Sequence, residues 1–237
     1  MRRLGLLGGM SWESTATYYR LINEGVRRRR GGLASADILM RSLNFQNVIE
    51  LQRADRWEEA SRYLSEAAKG LEAAGAESIL ICTNTMHLVA AEVSASCRVP
   101  LIHIIDETAQ ALNAAGCRRP LLLATRYTME QGFYTAHMDR HGIEVLTPGR
   151  NDRERCHAII FDELCQGIVS EQSRAVLHQM TRRGREAGAD SVILGCTELG
   201  LILDPDALPL PGFDSTHIHA RAAVDFALSA MQNSNAA

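Results

Sequence analysis

Two short stretches of the chain place polar and reactive side chains directly after an apolar run. The first reads SILICTNTMH from Ser78 to His87, and the second reads SVILGCTELG from Ser191 to Gly200. In each stretch a run typical of a buried strand gives way to a polar segment, at Thr83-Asn84-Thr85 and at Cys196-Thr197-Glu198. Free backbone N–H groups at a helix start attract a carboxylate, and a thiol beside them is expected to have a lowered pKa.

The residue types in these segments suggest one reaction. Asn84, Thr85 and Thr197 are neutral donors suited to a substrate carboxylate. Two acid/base groups on opposite faces of one carbon can remove a proton from one side and return one from the other, which inverts a stereocentre. Taken singly, each motif also has an ordinary explanation, because a cysteine at a strand end is often a buried apolar residue and Thr-Glu or Asn-Thr often caps a helix. The matched positions of the two motifs favour a site.

Short apolar runs alternate with longer helical patterns, which predicts strand-helix-strand units and parallel sheets. The predicted strands cover residues 4–7, 38–40, 79–81, 121–123, 144–146 and 192–194. The predicted helices begin at the capping residue Ser11 and run to the arginines 27–30, and then cover residues 55–74, 171–187 and about 216–230.

The two halves of the chain also resemble each other. A shift of 113 residues places Ala74-Gly-Ala-Glu-Ser78 on Ala187-Gly-Ala-Asp-Ser191 and sets Thr83 opposite Cys196, and a shift of 116 aligns the first strand of each half. This repeat predicts an α/β fold of two similar parallel-sheet domains related by pseudo-twofold symmetry, with the active site in the cleft between them. The predicted domains are residues 1–99 plus 209–237, and residues 100–208.

Five motifs carry a resemblance to a known family: GLLGGMSWEST, CTNTMH, LLLATRYTMEQGFY, GCTELG and FDSTHIHA. Together they resemble the cofactor-independent aspartate/glutamate racemases over nearly the whole chain. The resemblance implies two α/β domains and racemisation of a small amino acid by two residues, without pyridoxal phosphate, metal or any other cofactor. It also implies a homodimer.

The resemblance assigns the catalytic positions residue by residue. The second catalytic cysteine of the family falls on Cys196, whereas the first falls on Thr83, which is a departure from the usual thiol. Cys82 does not replace it, because neighbouring strand residues point to opposite faces. A threonine hydroxyl can donate a proton but is not ionised near neutral pH. Since the second cysteine of the family serves as the base for the L-enantiomer, we expect an L-to-D bias.

The same resemblance suggests residues that hold the substrate, with less specific support. These are Met10, Gln52, Asn84, Thr85, Thr125, Thr128, Thr197 and Glu198. The arginine and lysine that bind the side-chain carboxylate in aspartate-specific members are missing: residues 43–52 contain neither, and Cys165 aligns with the lysine. Aspartate, glutamate, homoserine and a broader set of substrates therefore remain open.

Composition excludes several other classes of protein. The chain has 237 residues, 46% of them hydrophobic, and a net charge of −3, which indicates neither a nucleic-acid-binding protein nor a membrane protein. Six cysteines without Cys-x-x-Cys pairs predict reduced thiols and a cytoplasmic protein. The glycines at positions 5, 8 and 9 lack dinucleotide-loop spacing, and His217 and His219 lack the further ligands of a metal site.

Three functions remain in view. The leading prediction is an amino-acid racemase in which Cys196 abstracts the α-proton and Thr83 reprotonates the opposite face. A second keeps the fold but changes the reaction, as in maleate isomerases or hydantoin racemases. A third is an amino-acid-binding protein without turnover, because one of the two catalytic positions is not a thiol.

Overall fold

The computed structural model describes residues 1–229 of the chain. They form two compact units: Met1–His103 together with the segment that begins at His219, and Ile104–Ile218. The predicted domain boundaries lay earlier in the chain, after residues 99 and 208. Across the described residues no helix is both long and apolar enough to cross a membrane.

The first unit contains a four-stranded parallel sheet with the strand order β2-β1-β3-β4. Its strands are β1 (Leu4–Gly8), β2 (Ile38–Ser42), β3 (Ser78–Ile81) and β4 (Leu101–Ile102). Its helices are α1 (Trp12–Arg30), α2 (Phe45–Arg53), α3 (Trp57–Ala73) and α4 (Ala90–Ala95), and a 3₁₀ helix covers Thr85–Val89. Strands β1 and β3 are buried along their whole length, which is why their sequences are continuously apolar rather than alternating.

The second unit contains a three-stranded parallel sheet with the order β5-β6-β7. Its strands are β5 (Pro120–Leu123), β6 (Ser191–Leu194) and β7 (Gly212–Asp214). Its helices are α5 (Ile104–Ala114), α6 (Arg126–Glu130), α7 (Phe133–Asp139), α8 (Arg150–Ala158) and α9 (Glu171–Glu186), followed along the chain by 3₁₀ helices at Thr197–Leu201 and Pro205–Ala207. A π-helical turn, Ile159–Glu163, continues α8.

One predicted strand is wrong. Residues 144–146 form a single parallel bridge, Leu121 to Leu146, instead of a strand. Leu146 donates its N–H to Pro120 O at 2.9 Å and accepts from Leu122 N at 2.8 Å, so the segment meets the edge of β5 at one position and then leaves it. The apolar pair Val145-Leu146 therefore contacts the sheet but is too short to form a strand.

The last described helix is α10 (Ser215–Ser229). From His219 onward it belongs to the first unit, where Ala220, Ala223, Val224 and Ala227 are buried. They join Tyr18, Ile22 and Val26 of α1 in one apolar cluster on β1 and β3. A second cluster, which contains Leu64, Ala68 and Leu71 of α3, includes Leu7 and Ile81 of the same strands. The predicted helix end at residue 230 lies outside the described residues.

The internal repeat extends to strand pairing. Leu4 of β1 pairs with Ser78 of β3, and Pro120 of β5 pairs with Ser191 of β6, as the sequence shifts of 116 and 113 require. Polar contacts at the strand starts repeat as well: Arg3 N donates to Glu77 Oε2 at 2.7 Å, and Arg119 N donates to Asp190 Oδ2 at 2.8 Å. The two units are therefore variants of one folding pattern.

Candidate active site

In the first unit, Thr83 lies two residues beyond the carboxyl end of the central strand β3. Its N–H donates to Ile81 O at 2.8 Å, which turns the chain sharply away from the sheet. Its carbonyl lies 2.8 Å from Nδ1 of His87, which is one helical turn further on. The Thr83 side chain is partly exposed, so its hydroxyl can meet a ligand. The imidazole of His87 fixes the backbone of this residue rather than its hydroxyl.

Cys82 differs from its neighbour in every relevant property. It is fully buried in the apolar cluster of α1 and α10, and burial raises the pKa of its thiol far above the ordinary value. Its Sγ has a contact of 3.8 Å with Leu80 O. The sequence-based expectation that Cys82 cannot replace Thr83 agrees with this environment, since a buried and protonated thiol is chemically inert.

The other predicted residues of the first unit lie at the ends of neighbouring elements. Asn84 and Thr85 are buried at the start of the 3₁₀ helix after β3. Gln52, near the end of α2, is also buried, and its Nε2 lies 3.0 Å from Met86 Sδ. Met10 follows β1 and packs with Met86 in the apolar cluster under α3. Three of these four predicted residues, Gln52, Asn84 and Thr85, are thus buried polar side chains, and Met10 is a buried apolar one.

In the second unit, Cys196 follows β6 as Thr83 follows β3. It caps the 3₁₀ helix Thr197–Leu201, and its carbonyl accepts from Leu199 N at 3.1 Å. The Cys196 thiol donates to Glu198 Oε2 at 2.8 Å, and the Thr197 hydroxyl donates to the same oxygen at 2.7 Å. Glu198 is buried, so both of these hydrogen bonds lie in a region of low dielectric constant.

The expectation of a lowered thiol pKa at Cys196 is wrong. Burial raises the pKa of Cys196 well above the ordinary value, and the negative charge of Glu198, the hydrogen bond to it and the charge of Cys165 act in the same direction. The backbone N–H of Glu198 favours the thiolate but is outweighed. Cys196 therefore rests as a protonated thiol next to a carboxylate that can accept its proton.

Thr125 and Thr128 follow β5 in the same unit. Thr125 caps α6 by accepting from Thr128 N at 3.3 Å, and their hydroxyl oxygens lie 3.1 Å apart. Both residues are buried. The two hydroxyls lie next to each other after the end of β5. Strand β5 pairs with β6, which precedes Cys196.

The two places where the resemblance to aspartate-specific racemases expects cations contain other residue types here. Most of residues 43–52 belong to helix α2, which contains no lysine or arginine before Arg53. Cys165 lies in a short 3₁₀ helix, Leu164–Gln166, close enough to Cys196 for its charge to affect the pKa of that thiol. A cysteine thus lies where the resemblance expects a lysine.

The candidates considered for cofactors have structural roles. A Cβ on Gly5 or Gly8 would lie 2.8 Å from Ser78 O or 2.4 Å from Thr15 Cγ2, so close packing accounts for these two glycines. Asp214 caps α10 by accepting from the N–H groups of Thr216 and His217.

The contacts of several histidines could not be foreseen from the sequence. His219 Nδ1 lies 2.8 Å from Tyr18 Oη and His219 Nε2 lies 2.8 Å from Ile102 O, so it is a buried core residue. The rings of His87 and His103 lie 4.7 Å apart between centroids, and those of His87 and His219 lie 5.9 Å apart. His87 appears in the quoted motif CTNTMH, but nothing in its spacing indicates that it would bind the Thr83 carbonyl.

Comparison with known proteins identifies a family for the chain. The family model for Asp/Glu/hydantoin racemases matches residues 7–223. A Yersinia pestis protein, whose crystal structure is described as that of a proposed Asp/Glu racemase, is 48% identical with a TM-score of 0.90, covering 96% of this chain and 100% of that one. An aspartate racemase homologue from Pyrococcus horikoshii OT3 is 34% identical with a TM-score of 0.83, covering 96% of this chain and 99% of that one.

A third relative bears on breadth of substrate. The broad specificity amino-acid racemase RacX of Bacillus subtilis (strain 168) is 24% identical over 224 residues, which cover 93% of this chain and 96% of that protein. The match of the family model spans both units and includes both strand-end motifs. The chain belongs to the Asp/Glu/hydantoin racemase family.

Proposed function

We propose that the chain is an amino-acid racemase that works without pyridoxal phosphate, with Cys196 as the base for L-substrates and Thr83 as the proton donor to the opposite face. The observation that carries this proposal is the hydrogen bond of 2.8 Å from the Cys196 thiol to Glu198. It pairs the candidate base with an acceptor for its proton, in a family whose members act as racemases on amino acids.

The proposed cycle balances its protons as follows. Binding of the substrate ammonium offsets the negative charge near Glu198, so that the Cys196 proton can move to the Glu198 carboxylate. The thiolate then takes the α-proton of the substrate, and the Thr83 hydroxyl protonates the opposite face of the carbanion. Water carries the proton from Glu198 to the Thr83 oxygen, which restores the starting state.

The proposed substrates are small amino acids, including neutral ones. Asn84, Thr85 and Thr197 are the proposed donors to the substrate carboxylate, while Met10, Gln52, Thr125 and Thr128 line its surroundings. The chain has no lysine at position 165 and no lysine or arginine in residues 43–52, the two places where the resemblance expects cations that bind an acidic side chain. We therefore propose that the enzyme has a broad substrate specificity and that it acts as a homodimer.

Proton NMR in D2O tests this proposal. We expect wild-type protein to remove the α-proton signal of at least one L-amino acid from a panel of aspartate, glutamate, homoserine and neutral amino acids, and to yield its D-enantiomer. The Cys196→Ala variant should do neither. At saturating concentration, D-amino acids should turn over far more slowly than L-amino acids, because an alcohol is a much weaker base than a thiolate. The values of kcat/KM must be equal for the two enantiomers, because the enantiomers have the same free energy.

An amino-acid-binding protein without turnover is the second candidate. The raised pKa of Cys196 together with the alcohol at position 83 favours it, because no thiolate is present at rest. Saturable binding of an amino acid without exchange of its α-proton in D2O would support this alternative and contradict the racemase.

A further inference from the structure

A polar cavity of about 520 Å³ lies in the second unit, and it is lined by residues of α6, of α8 and of the loop before α8. Every lining residue except Met129 carries a charge or a hydroxyl group: Arg126, Glu130, Thr147, Arg150, Arg153 and Glu154. Thr125 and Thr128, the proposed substrate-binding residues of α6 and its cap, do not line it. The cavity is therefore separate from the part of the candidate site that this unit supplies.

Arg126 is the lining arginine with the fewest protein partners. It lies on α6 and is exposed. Its Cζ lies 5.9 Å from the centroid of the Tyr127 ring, which is at the outer limit of a cation–π contact. Within residues 1–229 its guanidinium forms neither an ion pair nor a hydrogen bond. The N–H groups of this side chain are thus available to a ligand.

The two arginines of α8 use only part of their donor capacity on protein groups. Arg153 donates from Nε to Glu130 Oε1 at 2.8 Å and from Nη1 to Pro148 O at 2.7 Å. These two bonds hold a side chain that is only 24% exposed, so its orientation is fixed. Arg150 donates from Nε to Glu154 Oε1 at 3.0 Å. A guanidinium has more N–H groups than these contacts engage, so both arginines retain donors for a further acceptor.

The lining carries an excess of positive charge. Its three arginines outnumber its two glutamates, which gives a net charge of +1. Thr147 adds a hydroxyl that has no hydrogen-bond partner within the described part of the chain. Guanidinium groups bind carboxylates and phosphates through paired hydrogen bonds. A phosphate has oxygens that point in several directions and can meet arginines from both helices at once, whereas a carboxylate has two oxygens in one plane.

We infer that this cavity binds a phosphate group, either as free phosphate or as the monoester of a small molecule. The phosphate is held by Arg126 of α6 and by Arg150 and Arg153 of α8, and the Thr147 hydroxyl is a further donor. Pockets that bind small molecules typically measure about 300 to 1,000 Å³, so the cavity has room for more than the phosphate itself. The inference does not depend on the proposed racemase activity.

Calorimetric titration of the full chain with sodium phosphate and with adenosine 5′-monophosphate (AMP), at near-neutral pH and low salt, tests the site. We expect one ligand per chain for the wild type and affinity at least about tenfold weaker for Arg126→Gln and Arg150→Gln, because each removes a charge-assisted hydrogen bond. Both residues are exposed, so the fold should tolerate these changes, which circular dichroism checks. Arg182→Gln, which removes an exposed arginine of α9 that does not line the cavity, is the matched control and should bind as the wild type does.

Acetate and adenosine separate the chemistry of the ligand. Adenosine, which lacks the phosphate, should not bind, and acetate should bind at least about tenfold more weakly than phosphate. Tighter binding of AMP than of inorganic phosphate would identify a monoester as the ligand, and equal or weaker binding of AMP would identify free phosphate. Equal affinity in wild type, Arg126→Gln and Arg150→Gln would overturn the inference. So would adenosine binding as tightly as AMP, or the absence of saturable binding of either phosphate ligand to the wild type.

Discussion

The Sγ atom of Cys196 lies 2.8 Å from Oε2 of Glu198, two residues along the chain. The same carboxylate oxygen accepts from the Thr197 hydroxyl at 2.7 Å. A carboxylate in this position holds the thiol in one orientation and opposes its ionisation. The proposed base is thus kept protonated by the group that would later receive its proton.

Replacing Glu198 by Gln should separate these two roles. Loss of the negative charge lowers the pKa of Cys196, so iodoacetamide should alkylate Cys196 about tenfold faster at pH 8 in the substrate-free protein. Racemisation should fall about tenfold or more, because the proton acceptor is lost. The measurements are peptide mass spectrometry of alkylated Cys196 and turnover by NMR.

A suitable control for this variant is Glu171→Gln, in the same unit. Glu171 forms an ion pair with Arg174 and is largely exposed, so its loss should leave both rates unchanged. If Cys196 in Glu198→Gln is alkylated no faster than in the wild type, the charge of Glu198 does not suppress the thiolate.

Substitutions at Thr83 test its role as the second acid/base group. With Thr83→Ala, the thiolate of Cys196 can still remove the α-proton of an L-substrate and return deuterium to the same face. We therefore expect deuterium to enter the L-enantiomer while the D-enantiomer forms at least about a hundredfold more slowly than with wild type. NMR combined with chiral chromatography measures both.

Thr83→Cys should act in the opposite direction by supplying a second ionisable thiol. At saturating concentration, D-substrates should then turn over about tenfold or more faster than with the wild type, which reduces the difference in kcat between enantiomers. Cys82→Ala is the matched control, since it removes the buried neighbouring thiol, and its bias should equal that of the wild type. If the bias of Thr83→Cys equals that of the wild type, residue 83 does not take part in the reaction.

Much of the fold follows from sequence because its strands are short, continuous apolar runs that end in glycines or polar segments. Strands β1, β3, β5 and β6 begin and end within one residue of the predicted positions. Strand β7 was missed because Gly212-Phe213-Asp214 has no apolar run, and β4 because it is two residues long. Their pairing with neighbours, rather than their own sequence, makes them strands.

The places of the candidate residues after two strands were predictable, but their electrostatics were not. Polar residues after two equivalent strands marked Thr83 and Cys196 in advance. The pKa of Cys196 was misjudged because a helix start was weighed, whereas the burial of the thiol and the charge of Glu198 were not. Spacing along the chain likewise gave no sign that Arg126 of α6 and Arg153 of α8 would line one cavity.

The buried His219 should make the first unit sensitive to acid. Burial lowers the pKa of this imidazole from 6.5 to about 4, an effect that the hydrogen bond to Ile102 O opposes and the charge of His103 reinforces. Between those values the unfolded chain binds more protons than the folded one, so stability rises with pH from about 4 to 6.5 and is lost as pH falls through that range. His219 alone should remove about 2 kcal/mol of unfolding free energy between pH 7 and pH 5.

Urea unfolding at both pH values measures this contribution. His219→Gln should be less stable than wild type at pH 7, because it weakens the contacts to Tyr18 and Ile102, but should lose about 2 kcal/mol less on acidification. His178→Gln should keep the pH dependence of the wild type. An equal loss in His219→Gln and wild type would show that His219 does not titrate in this range.

Gly9 links the end of β1 to the start of the candidate site, and replacing it by Ala should disrupt the first unit. Its φ of +82° is strained for an alanine, and a Cβ there would lie 2.2 Å from Leu43 O and 2.3 Å from Leu43 N. Because these atoms are backbone, β2 and the chain that follows it would have to move. We expect a loss of about 3 kcal/mol or more of unfolding free energy from overpacking and backbone strain together.

The same substitution at Gly70 provides the contrast. Gly70 lies within α3, and a Cβ there meets no atom within 4 Å. Gly70→Ala should therefore stabilise the protein by about 0.5 to 1 kcal/mol through helix propensity. Urea unfolding of the two variants beside wild type measures both effects. If Gly9→Ala were as stable as wild type, the backbone of Leu43 would not be held close to this turn. The position of Met10, which follows Gly9, would then not be fixed either.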